Sequence, residues 1–123
     1  MGILKNVSTG SILATRVDRA SSFLDRAVGL LARPRVRPDE GLWIERCTGI
    51  HTMGMRAPID VIFVDAAGCI MRIIRSVPPL RLAVTCWKAN AVIELGLGTI
   101  DAHDLLVGDR LELVIATIGS GEK

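Results

Sequence analysis

Two acidic residues stand where an extended chain would bury them. In Pro58-Ile59-Asp60-Val61-Ile62-Phe63-Val64, alternation puts Asp60 on the same face as Ile62 and Val64. In Ala91-Val92-Ile93-Glu94-Leu95-Gly96, Glu94 shares its face with Val92 and Gly96. A carboxylate among apolar side chains is costly unless it is paired or multiply hydrogen-bonded, so each acid calls for partners. Arg26, Arg33 and Arg56 are possible partners. Such groups make either architectural ion pairs or a polar pocket whose acids and arginines face a ligand. Arg26 and Arg33 are seven apart and so nearly one above the other on a helix. Two guanidinium groups so placed could clamp a carboxylate or phosphate bidentately.

The segment Gly49-Ile50-His51-Thr52-Met53-Gly54-Met55-Arg56-Ala57-Pro58 offers different chemistry. His51, Met53 and Met55 alternate, so in an extended chain all three point one way, and imidazole with thioethers suits copper(I). The plainer account is that the methionines fill gaps in the core while His51 bonds a backbone carbonyl. Cys47, four residues before His51, offers a thiol and a base, but nothing in the sequence lowers the thiol pKa. The cysteines Cys47, Cys69 and Cys86 are odd in number, widely spaced and without a C-x-x-C pair. They read as free buried thiols rather than a disulfide framework or zinc ligands. No G-x-S-x-G, Walker A, G-x-G-x-x-G or H-E-x-x-H motif is present. An enzyme built on this chain would use Asp60 or His51 as general acid or base, and on that reading Asp60→Asn keeps the fold.

The elements that position these residues are mainly strands. The chain of 123 residues is 50% apolar with 12 glycines and 5 prolines, which suits one domain over residues 1–123 with many turns and excludes a disordered chain. Ile3 to Val7 and Ser11 to Val17 read as strands around Ser8-Thr9-Gly10. Ser22-Phe23-Leu24-Asp25 resembles a capping box, and Phe23, Ala27, Leu30 and Leu31 follow at helical spacing, so a helix is expected over about 22–32, stopped by Pro34. Gly41 to Cys47, Ile59 to Val64, Cys69 to Arg75, Ala91 to Leu95 and Leu111 to Ile118 read as further strands. Asp65-Ala66-Ala67-Gly68 makes a hairpin, and a short helical turn is expected near 102–106. Helices do not alternate with strands, so the expected fold is mainly β, a β-sandwich or barrel-like sheet with one early helix.

Net charge is +2, with 15 basic and 13 acidic residues interspersed, so no footprint for nucleic acid or an anionic membrane stands out. No apolar run approaches the roughly 20 residues of a membrane span. No signal peptide precedes the first strand, and a cytoplasmic protein is expected.

Together the motifs resemble the family called domain of unknown function 192. The resemblance rests on ordered blocks: Arg26-Ala27-Val28-Gly29-Leu30-Leu31-Ala32-Arg33, Glu40-Gly41-Leu42-Trp43, His51 through Asp65, Pro78-Pro79, Val92 through Gly98, and Gly108-Asp109. It runs over about residues 11–113 and matches the family by residue type at Arg26, Gly29, Arg33, Gly41, Pro58, Asp60, Glu94 and Asp109. It implies a compact, mostly β fold with the early helix packed on it, and no particular reaction. Many members look secreted or periplasmic, and many have Trp-Met-Lys-Asn-Thr where this chain has His51-Thr52-Met53-Gly54-Met55. The resemblance therefore makes metal binding at His51, Met53 and Met55 a subgroup property at most.

These readings lead to a non-catalytic module that binds a small anionic ligand or a protein partner. Its ligand-binding candidates are Arg26, Arg33, His51, Arg56, Asp60 and Glu94, arranged as one polar patch. No cofactor, nucleic acid or membrane is expected, and the oligomeric state is left open.

Overall fold

In chain order the strands are β1 (Gly2–Asn6), β2 (Ser11–Ala20), β3 (Glu40–Glu45), β4 (Gly49–Ile50), β5 (Ile59–Val64), β6 (Ile70–Val77), β7 (Val84–Thr85) and β8 (Ala91–Gly96), then the helix α1 (Thr99–Ala102) and β9 (Leu111–Ile115). The computed structural model describes residues 2–20, 36–46, 49–50, 58–78, 84–86 and 88–115. The expected helix over 22–32 lies outside the described residues. Seven strands form one sheet in the order β6-β5-β8-β3-β2-β1-β9, and β4 and β7 form a separate two-stranded ladder. Both strands of that ladder are short and lack an alternating pattern, and neither was expected from the sequence.

β5 and β8 are neighbours at the heart of the sheet, and every residue of both is buried. Strands so covered have apolar layers on both faces, and two core clusters result. On one face Leu4, Val17, Ile62, Ile93, Leu95, Ile100 and Leu111 pack together. On the other, Ile44, Ile59, Val61, Phe63 and Val92 do so.

The edges of the sheet meet at one place. Cys69 and Arg110 form an antiparallel bridge, the Leu111 N–H donates to the Gly68 carbonyl at 2.8 Å, and the Ile70 N–H donates to the Asp109 carbonyl at 2.8 Å. The sheet therefore curls toward a barrel around the Leu4 cluster without closing along its length. The mainly β reading of the sequence holds, and the sheet does not close into a barrel. The hairpin between β5 and β6 also forms as expected, with Asp65 Oδ1 accepting the N–H groups of Ala67 and Cys69, each at 2.9 Å.

One departure concerns connectivity. β2 and β3 are parallel, Arg16 to Ala20 against Glu40 to Ile44, whereas the other pairs of the large sheet are antiparallel. Parallel neighbours need a crossover of about a dozen residues or more, which residues 21–39 provide. The antiparallel hairpins read from the sequence do not include this one parallel pair.

Asp39 fixes the register of that pair. Its Oδ1 accepts the Thr15 N–H at 2.9 Å, its Oδ2 accepts the Thr15 hydroxyl, and its carbonyl accepts the Arg16 N–H at 3.1 Å. The Thr15 hydroxyl, then the Thr15 N–H, and lastly the Arg16 charge hold the Asp39 carboxyl below its ordinary value of 3.8. A folded-state value below the unfolded one adds stability that is present above pH 3.8 and is lost as pH falls through the folded value. The expected result is a melting-temperature gap between wild type and Asp39→Asn that narrows as the solution is acidified below that pH.

Candidate functional site

Asp60 lies on the concave face of β5, opposite Leu95 of β8 and beside the Ile62 and Ile100 core, and is 1% exposed. This is the face the sequence assigned to it. Its partners are backbone groups. Oδ1 accepts the Ser76 N–H at 3.0 Å, and Oδ2 accepts the N–H groups of Gly98 at 3.0 Å and Ile100 at 3.1 Å. Both local geometries follow from this carboxylate. Between the pairs Ile59↔Val77 and Val61↔Ile74 the ladder shifts, so Arg75 and Ser76 stand opposite Asp60 alone, a β-bulge. At the other oxygen, the N-cap of α1 is Gly98, at φ 88°, which has no side chain to cap the first turn. Asp60 supplies the missing acceptor from 38 residues away. The Thr99 hydroxyl adds a bond to the Gly96 carbonyl at 2.7 Å. The helical segment thus begins at Thr99, ahead of the expected 102–106, because its cap is tertiary and not local.

The bulge holds Ser76 at φ 53°, a left-handed conformation that costs a residue with a Cβ roughly 1 kcal/mol. Ser76→Gly is therefore expected to raise stability by about 0.5 kcal/mol, and Ser76→Val to lower it by more than about 1 kcal/mol. Urea midpoints at constant slope read both.

Glu94 is also 1% exposed, but it faces the other way. It is in register with Leu42 of β3 and Val61 of β5, and Val61 belongs to the second core cluster. Asp60 pairs with Leu95 in the first cluster, so the sheet itself separates the two acids. They do not share a pocket, and the single polar patch expected to contain both does not form. Glu94 takes part in a polar or electrostatic interaction of its own. Arg26, Arg33, His51, Met53, Met55 and Arg56 lie outside the described residues.

A polar cluster that the sequence did not single out sits beneath the β1–β2 turn. Asn6 is fully buried, donates from Nδ2 to Asp109 Oδ2 at 3.0 Å and accepts the Ser8 N–H on Oδ1 at 3.0 Å. Asp109 Oδ2 also accepts the Leu106 N–H at 3.2 Å, and the Arg110 N–H donates to the Ser8 hydroxyl oxygen at 3.0 Å. Nearby, the Ser11 hydroxyl lies 3.3 Å from His103 Nδ1. The readable signal was Asn6 itself, which continues the inward alternation of Gly2 and Leu4 and so must bring its partners into the core.

Among the described residues no group of three or more His, Cys, Asp and Glu could hold a metal ion, and no helix is long and apolar enough to cross a membrane. Cys69 and Cys86 are free thiols of intermediate burial.

The chain is similar to proteins that share this organisation. A UPF0127 protein of Thermococcus sibiricus is 30% identical over 117 residues, covering 89% of this chain and 73% of its own. One from Pyrococcus furiosus is 33% identical over 110 residues, covering 87% and 94%. Among solved structures, a Sinorhizobium meliloti protein described as a candidate transcription regulator has a TM-score of 0.75 and 25% identity, over 91% of each chain. A protein of unknown function from Novosphingobium aromaticivorans shares the fold, with a TM-score of 0.72 and 21% identity over 90% of this chain and 82% of that one. The family described as DUF192, uncharacterized ACR, COG1430, matches residues 4–113, which includes all six sequence blocks and the end of β1 from Leu4 to Asn6. With that span matched, the chain belongs to the DUF192 family.

Proposed function

We propose that this protein is a non-catalytic binding module for a small anionic ligand, with Glu94 as the buried acid of its site and Arg26, Arg33 and Arg56 as the cations. The observation that carries this reading is the burial of Glu94 on a central strand, between Leu42 and Val61, on the face that Asp60 does not use. A carboxylate in so apolar a setting must be paired or hydrogen-bonded, and on this reading cations supply the pairing. On this reading it aligns a guanidinium whose remaining N–H fork meets a carboxylate or phosphate of the ligand. Asp60 drops out of the site, since both its oxygens already accept backbone hydrogen bonds. For the same reason the alternative of Asp60 as a general base gains nothing from its geometry. A reducing, cytoplasmic setting fits the free thiols of Cys69 and Cys86.

A thermal-shift panel of inorganic phosphate, citrate, nucleotides and sugar phosphates tests the reading. A ligand at roughly 100 times its dissociation constant adds about 2.7 kcal/mol, a shift of several degrees for a domain this small. The expected result is a shift from an anion that disappears in Arg26→Ala and Arg33→Ala while their unliganded melting temperatures stay near wild type. Large stability losses in both variants would make the arginines architectural and overturn the reading. Duplex DNA belongs in the panel because of the description given to the Sinorhizobium neighbour. Stabilisation by DNA and by none of the small anions would replace it.

A further inference from the structure

The convex face of β2, β1 and β9 presents apolar groups to water. Ile12 is 52% exposed and Val114 is 45% exposed. Strand register gathers them. Ile3 lies opposite Val114 and Lys5 opposite Glu112 across β1 and β9, while Lys5 lies opposite Ile12 across β1 and β2. These five side chains share the face away from Leu4, Leu111 and Leu113, which point into the core. Between these apolar side chains stand the cation Lys5 and the anion Glu112, with Arg110 at the rim beside Glu112. Lys5 enters no ion pair among the described residues, and Glu112 has a long contact of 3.8 Å with Arg110.

A patch with a positive and a negative charge side by side between apolar side chains is its own complement. A two-fold rotation lays Lys5 of one copy on Glu112 of the other, and the reverse, while Ile12 and Val114 leave water. We propose that this face is the interface of a homodimer, with the paired Lys5–Glu112 contacts setting its register. The argument is independent of Glu94, which lies on β8.

Charge reversal in trans tests this with the full chain. Lys5→Glu makes the pair at positions 5 and 112 doubly negative and Glu112→Lys makes it doubly positive, so across the two-fold axis each variant alone sets like charge against like. An equimolar mixture restores two opposite-charge contacts between chains but leaves like charges side by side within each chain. Sedimentation equilibrium is expected to show a wild-type dimer, a dissociation constant raised about tenfold or more in each single variant, and its recovery in the mixture. Rescue in the mixture cannot come from a merely intrachain role. Val114→Lys, at an exposed position, is expected to weaken the dimer independently. A wild type that stays monomeric, a dimer unaffected by Val114→Lys, or a mixture of well-folded variants that does not recover would overturn the proposal.

Discussion

Asp60→Ala is expected to lower the unfolding free energy by about 3–5 kcal/mol, the range for removing one partner of a buried charged interaction. The loss does not come from the aspartate alone. Three N–H groups, those of Ser76, Gly98 and Ile100, would lose their acceptor, that of Ile100 inside the apolar core and those of Ser76 and Gly98 at its margin. Each belongs to backbone that has no easy alternative, one in a left-handed bulge and two in the first turn of a helix whose own cap residue is glycine. Asp60→Asn sharpens the case. An amide has one oxygen, which can serve Gly98 and Ile100 or serve Ser76, while its NH2 group meets a donor on the other side. A loss of about 1.5–3 kcal/mol is therefore expected even from this isosteric change. The reading of Asp60 as a general acid or base expects the opposite, a folded and inactive Asn variant. Urea denaturation separates the two, and amide exchange at Ser76, Gly98 and Ile100 localises the effect. A wild-type stability for Asp60→Asn would show that these donors do not depend on the carboxylate.

Asp60 also shows where sequence reasoning reaches and where it stops. Alternation placed it on the Ile62 face and burial required it to have partners, and both hold, because period-two patterning and desolvation act through neighbours in sequence. The identity of the partners was not readable. They come from 16, 38 and 40 residues away, and two of them are on a turn whose helical character depends on Asp60 itself. The same limit explains Asn6, which reaches 103 residues to Asp109, and the parallel β2–β3 pair, whose register is held by Thr15 and Asp39 rather than by any strand propensity. Glu94 was read correctly as buried, but grouping it with Asp60 needed the face of each strand relative to the other. That depends on strand order, which local pattern does not encode. Gly41 illustrates the converse, a residue type seen in the family pattern before its reason was visible. A Cβ there would stand 2.8 Å from Leu95 Cδ2 and 3.0 Å from the Glu94 carbonyl, so glycine is what lets β3 and β8 pair beside the buried acid.

Gly68→Ala is expected to cost about 2–4 kcal/mol, more than a turn glycine normally would. Part of that is conformational: Gly68 has φ 87°, where a Cβ costs roughly 1 kcal/mol. The rest is position. The added Cβ would press on the carbonyl oxygen of Leu111 at the seam between the two sheet edges. Relief by a backbone shift is blocked on both sides, since the Gly68 N–H donates to Asp65 at 3.0 Å and its carbonyl accepts the Leu111 N–H at 2.8 Å. Gly10→Ala is the control. Gly10 has a similar φ of 82°, but a Cβ there meets nothing within 4 Å, so it carries the conformational cost without the collision. Urea unfolding of the pair therefore isolates what the seam contributes. A Gly68 loss well above the Gly10 loss, with faster amide exchange at Ile70 and Leu111, means that the contact beside Cys69 and Arg110 holds the curled sheet around its core. Equal losses would mean that the core keeps its shape without the seam, and that the approach of the two edges is a consequence of the curl rather than its support.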